Sequence, residues 1–88
     1  MAEITMYGAE WCSDCRRAKR VFTRLNVAYE YVDLVAEPER VDEARRLGRA
    51  KRIPVIVLGD ERVLVEPSDQ ELESALERSG ASSAPSAT

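Results

Sequence analysis

With no histidine and only two cysteines in 88 residues, this chain is poor in the side chains that bind transition metals. A closed tetrahedral metal site needs four ligands, so here a metal would have to be shared between two chains or completed by outside thiols. Two cysteines are also too few for the disulfide framework with which small secreted domains compensate for a thin core. Cys12 and Cys15 stand so close that bridging them removes little unfolded-state entropy, which argues against a structural staple. Long apolar runs are missing as well. Pro54 to Leu58 is the longest, far short of the ~20 residues of a membrane-spanning helix. The start Met1-Ala2-Glu3-Ile4 lacks the basic region and apolar core of an export signal, so a cytoplasmic protein is expected. A net charge of −3 speaks against nucleic acid as a partner, because phosphate backbones are held by excess positive charge.

The chain does have the composition of a folded globular domain: 44% hydrophobic and 33% charged residues suit neither a disordered nor a membrane chain. Glu3 to Tyr7 alternates and stops at Gly8, as a first strand does. From Cys12 to Leu25, apolar or small residues at 15, 18, 21, 22 and 25 share one helix face, and Asn26 can end that helix in a left-handed conformation. Val27 to Val32 reads as a second strand. Glu37-Pro38-Glu39 opens a second helix, with Val41, Ala44 and Leu47 inward and Gly48 at its end. Pro54 to Leu58 reads as a buried strand, and Gly59-Asp60 as a tight turn into a hairpin partner, Arg62 to Val65. Ser68-Asp69-Gln70-Glu71 fits a capping box, followed by a last helix with Leu72, Ala75 and Leu76 inward. The order is βαβαββα in one α/β domain over 1–79, and 80–88, with almost nothing to bury, reads as a disordered tail.

The chemistry-bearing motif is Trp11-Cys12-Ser13-Asp14-Cys15, between the first strand and the first helix. A Cys-x-x-Cys at such a seam reads as a redox pair. Disulfide exchange needs an exposed thiolate. Cys12 falls at the start of a helix, where unpaired amides and the positive dipole end favour negative sulfur, so it is expected to ionise more readily than a free thiol. Cys15 follows one turn later, where Cβ atoms are roughly 5–6 Å apart and modest closing gives disulfide geometry. Cys12 is thus expected to attack and Cys15, more buried, to resolve. Asp14 opposes ionisation nearby, or is simply a first-turn acid facing solvent; Arg16 or Arg17 could offset it. Trp11 is either a partly exposed platform beside the nucleophile or packing for the loop. Pro54, opening a buried strand, cannot donate to the ladder, and a trans strand-start proline is the default from spacing alone.

With these residues in hand, the chain resembles the glutaredoxin family over roughly residues 3 to 78. The resemblance is carried by Tyr7 through Trp11-Cys12-x-x-Cys15, by Arg52-Ile53-Pro54, and by Glu66-Pro67-Ser68-Asp69. It implies a thioredoxin-like fold with a four-stranded mixed sheet flanked by three helices. It also implies a cis-proline at Pro54 opposite the cysteines, with the Ile53 backbone pairing with incoming substrate. Ala9 stands where glutathione-dependent members often have a lysine, and Glu66-Pro67 where they have a Gly-Gly pair. The Pro-Ser opening of the last helix looks like the mycoredoxins, actinobacterial glutaredoxins that work with mycothiol.

The resemblance therefore implies a thiol–disulfide oxidoreductase acting on protein disulfides or mixed disulfides. Its partners would be disulfide-containing proteins and a low-molecular-weight thiol, mycothiol or glutathione, as reducing co-substrate. The expected protein is a monomer with no permanently bound cofactor and no metal. Ser68 and Asp69 would meet the thiol through backbone amides, or serve only as the capping box. Arg49, Lys51 and Arg52, just before Pro54, are candidates to meet a carboxylate or an acidic partner surface, with a plain charged loop as the other account of Arg49 and Lys51. Two rival readings stand beside this one. In the first, a glutaredoxin-like donor to ribonucleotide reductase is recharged by thioredoxin reductase; such donors usually carry an aromatic-rich segment near the last helix, and this chain has no aromatic residue after Tyr31. In the second, a dimer holds an iron–sulfur cluster through Cys12 of each chain and two external thiols.

Overall fold

Strand alternation decides the layering of this molecule. The computed structural model describes residues 4–49, 51–59 and 62–79. In the first strand, Met6 and Tyr7 point to opposite faces of the sheet, as neighbours in a strand must. Met6 joins Ala18, Val21, Phe22, Ile56, Leu72 and Leu76 in one apolar cluster, and Tyr7 joins Val32, Ala44 and Val55 in another. A sheet that is apolar on both faces has to be covered on both.

The strands are β1 (Thr5–Gly8), β2 (Glu30–Asp33), β3 (Val55–Val57) and β4 (Val63–Val65), in the spatial order β2-β1-β3-β4. β1 and β2 run parallel, while β3 is antiparallel to both β1 and β4. The helices are α1 (Ser13–Arg24), α2 (Val41–Gly48) and α3 (Asp69–Ser79), and a single 3-10 turn at Pro38–Arg40 leads into α2. α1 and α3 cover the Met6 face; α2 covers the Tyr7 face. The fold is the expected thioredoxin-like one, with three helices around a four-stranded mixed sheet.

Local sequence accounts for the element ends. Asn26 takes the left-handed conformation, φ 57°, and the chain turns there from α1 toward β2. The capping box at α3 is formed: the Ser68 amide donates to the Glu71 carboxylate at 2.8 Å, and the Glu71 amide to the Ser68 hydroxyl at 3.1 Å. A cap of this kind contributes about 1 kcal/mol. β2 begins later than the pattern suggested, because its parallel ladder with β1 runs only from Thr5↔Glu30 to Gly8↔Asp33.

The second helix departs from expectation in two ways. Leu47 is 38% exposed and not inward. The face that meets the sheet is Ala44 and Gly48, one turn apart and both small, so the helix backbone comes close. A Cβ on Gly48 would lie 2.9 Å from a Val55 methyl and 3.1 Å from a Val65 methyl. Gly48 is therefore needed for approach, and the left-handed residue that ends the helix is Arg49, φ 55°. The turn at Asp60 and the tail over 80–88 lie outside the described residues.

Candidate active site

Strand register gathers the site at one end of the sheet. Tyr7 pairs with Val55, so the residues before β3 arrive beside the loop that leaves β1. Val55 pairs with Val65, so the residues after β4 arrive there too, and the Glu66 amide donates to the Pro54 carbonyl at 3.0 Å. Three segments far apart in sequence thus converge: Ala9–Cys15, Arg52–Pro54 and Glu66–Asp69. The Ile53–Pro54 bond is cis.

Cys12 is the N-cap of α1, with extended backbone at φ −86° and ψ 118°, and its side chain makes no cap hydrogen bond. Its amide donates to the Ala9 carbonyl at 3.2 Å and its carbonyl accepts from the Arg16 amide at 3.1 Å. The thiol is partly exposed and lies 3.9 Å from the Ile53 carbonyl oxygen. The sulfur and the carbonyl of the residue before the cis bond therefore face each other. Cys12 stands one position before the first helical residue, at the N-terminal end of α1, where the first backbone amides of a helix lack intrahelical partners.

Cys15 is fully buried. Burial pushes its thiol up from 9.0 to about 12, and a hydrogen bond to the Cys12 sulfur and the Asp14 charge act in the same direction. Gly8 makes room for it: a Cβ there would stand 2.7 Å from the Cys15 sulfur. The two cysteines thus differ in kind, one accessible and one sealed and protonated.

Arg17 was the residue least readable in advance. It reaches Asp14 at 3.1 Å and Asp69 at 3.1 Å, joining the starts of α1 and α3. The offset to Asp14 thus comes from Arg17, whereas Arg16 donates to the Glu10 carbonyl at 2.8 Å. The i,i+3 spacing to Asp14 hinted at the first contact; nothing local announced the second. Trp11 is 71% exposed beside the nucleophile, which fits a platform better than loop packing. Arg52 is exposed and lies 3.7 Å from the Glu66 carboxylate. Asp69 is held by Arg17, and the Ser68 amide is committed to Glu71. Glu66 is left-handed at φ 49°. Glycine adopts that conformation without steric cost, which gives a physical reason for the glycines the family often places there. Among the described residues, no group of three or more acidic or sulfur side chains is arranged to hold a metal ion.

The buried hydroxyls share the direction of Cys15. Burial, then the Glu43 carboxylate that accepts from its hydroxyl, pushes Tyr7 up to about 12. Burial, then the nearby Glu10 carboxylate, raises Tyr31. Each group keeps its proton in the folded state at a pH where the unfolded chain would release it. Stability from these groups is complete below about pH 9 and falls as pH rises toward 12. For the reduced protein, the urea midpoint is expected to drop steadily between pH 9 and pH 11. A flat or rising midpoint across that window would contradict the assignment of Cys15 as a buried neutral thiol.

Comparisons with known proteins agree with this geometry. The Glutaredoxin family profile matches residues 4–63. A Mycobacterium tuberculosis H37Rv protein named as a glutaredoxin is 31% identical over 78 residues, covering 85% of this chain and 90% of that protein. Among solved structures, the Archaeoglobus fulgidus glutaredoxin superposes with a TM-score of 0.73 at 23% identity, over 84% of this chain and 85% of that one. The Methanosarcina mazei Go1 glutaredoxin gives 0.70 at 29% identity, over 84% and 77%. The Escherichia coli NrdH-redoxin, described as glutaredoxin-like with a thioredoxin-like activity profile, gives 0.71 at 22% identity, over 82% and 92%.

Proposed function

The chain belongs to the glutaredoxin family, and from that premise we propose that it is a thiol–disulfide oxidoreductase of the mycoredoxin type. It would reduce protein disulfides or mixed disulfides and be recharged by a low-molecular-weight thiol. The observation that carries the reading is the asymmetry of the pair: Cys12 accessible at the helix tip, 3.9 Å from the Ile53 carbonyl, and Cys15 buried beneath Gly8.

The Cys12 thiolate attacks one sulfur of a substrate disulfide. A new S–S bond forms as the old one breaks, and the departing sulfur leaves with the electron pair. That thiolate takes the Cys15 proton. Cys15 then attacks the Cys12 sulfur and expels the second substrate sulfur, which picks up a proton from solvent. The substrate is reduced by two electrons and the enzyme holds a Cys12–Cys15 disulfide. Two molecules of the small thiol reverse the cycle and end as their own disulfide. The Cys15 proton is useful in this sequence, because a thiol kept neutral by burial does not compete with Cys12 for the first attack.

Two departures support mycothiol over glutathione as the electron source. Ala9 is buried and brings no charge to the place where glutathione-dependent members often have a lysine. Glu66-Pro67 leads into α3 in place of a glycine pair. Turnover measured with mycothiol, glutathione and thioredoxin reductase as competing reductants tests this. Mycothiol is expected to lead glutathione by on the order of tenfold, the effect of one or two specific contacts. Exclusive use of the reductase would overturn the mycoredoxin assignment. Visible iron–sulfur absorption in anaerobically purified protein, lost in Cys12→Ser, would favour the cluster-binding dimer instead.

A further inference from the structure

Between Glu43 and Asp60 the sequence contains no acidic residue, yet five cations fall there: Arg45, Arg46, Arg49, Lys51 and Arg52. In a chain of net charge −3 that is a strong local reversal. Elsewhere Arg17, Lys19, Arg24 and Arg40 pair with carboxylates, and within the stretch Arg52 pairs with Glu66. Arg45 and Lys51 are exposed and form no ion pair among the described residues. They rim a small cavity of about 80 Å³ whose apolar floor is Leu34, Val41, Ala44 and Ile53. Ile53 is the residue whose carbonyl faces the Cys12 sulfur, so this cavity adjoins the reacting centre.

We propose that this basic-rimmed cavity docks an acidic polypeptide segment flanking the target disulfide, with one aliphatic side chain in the cavity and carboxylates against Arg45 and Lys51. The inference rests on the exchange reading and names its substrate class. Size argues for a polypeptide over a small thiol. The cavity holds a single side chain, well below the ~300–1,000 Å³ of an ordinary small-ligand pocket. Charge complementarity of this kind raises encounter rate and selects among partners, and salt screens it.

The test uses two peptides with a cysteine capped as a thionitrobenzoate mixed disulfide, whose release is coloured. One has leucine, aspartate and glutamate around the cysteine; the other has leucine, asparagine and glutamine. At low salt, the wild-type protein is expected to favour the acidic peptide by about tenfold in kcat/KM. The preference should fall to near unity in 0.5 M salt, as screening shortens to a few ångströms, and in the Arg45→Glu/Lys51→Glu double variant. Arg20→Glu, a charge reversal on the exposed side of α1, should keep the preference and controls for net charge. Equal rates for the two peptides would overturn the docking, as would loss of preference in Arg20→Glu. An equal loss of glutathione disulfide reduction in the double variant would overturn it by assigning the cations to a small thiol. Wild-type protein retained by single-stranded RNA, and released by the double variant, would overturn it in favour of a nucleic-acid surface. Failure to reduce either peptide would sink the exchange reading itself, and is thereby distinct from failure of the docking alone.

Discussion

Cys12→Ser is expected to lose disulfide reduction entirely, by on the order of 10³-fold or more, whereas Cys15→Ser retains part of the activity toward mixed disulfides. A serine hydroxyl is a far weaker nucleophile than a thiolate at neutral pH, and no other accessible thiol exists to replace it, since Cys15 is buried. The second variant separates the steps. Without Cys15 the mixed disulfide on Cys12 has no internal resolver, so it persists until an external thiol attacks it. Intact mass should therefore show the substrate moiety trapped on Cys12. Because Cys15 is fully buried, a hydroxyl there would lack assured partners, and Cys15→Ala serves as the companion variant should the serine form be unstable. Full activity in Cys12→Ser, or an adduct found on Cys15, would reverse the roles.

That assignment was legible in the sequence because it depends on local order. A strand ending at Gly8, a Cys-x-x-Cys, and an amphipathic run to Leu25 together put one sulfur at a helix tip and the other a turn inside. Helix and strand periods were equally readable, and so was the capping box at Ser68, because each is set by residues within one or two turns. What escaped reading was set by contact across the chain. Leu47 satisfied the helical period but faces out, since α2 presses its small residues, Ala44 and Gly48, against the sheet. Arg17 was readable as a possible offset to Asp14, which it is, but not as a link to the last helix. Its bond to Asp69 exists only because the strand register brings α3 beside α1. Glu66 gave no local sign of its left-handed backbone beyond standing where a glycine pair is usual, and its amide bonds to the Pro54 carbonyl across the sheet. The basic stretch around Lys51 and its place just before Ile53 and Pro54 were visible in the chain, but the cavity it rims, built with Leu34, Val41 and Ala44, required the fold.

Gly8→Ala is expected to destabilise the protein and to slow closure of the Cys12–Cys15 disulfide, although the change adds a single carbon. The new Cβ would lie 2.7 Å from the Cys15 sulfur and 3.3 Å from the Cys15 Cβ, while Tyr31 at 3.6 Å could stay where it is. The Cys15 Cβ is fixed by the first turn of α1, so only two adjustments are open. Either the helix start backs away from β1, loosening a packed contact, or the sulfur turns to another helical rotamer and away from its partner. Overpacking of this kind costs about 1–3 kcal/mol, and glycine's own entropic penalty offsets less than 1 kcal/mol of it. For a domain of this size, each kcal/mol shifts Tm by about 4–8 °C. Removing the opposing sulfur should relieve the clash, so Gly8→Ala should cost less in a Cys15→Ala background. The coupling is expected to be on the order of 1 kcal/mol, typical for residues in contact. An unchanged Tm and closure rate in Gly8→Ala, or strictly additive effects in the double variant, would mean that Gly8 does not hold open the space for the resolving thiol.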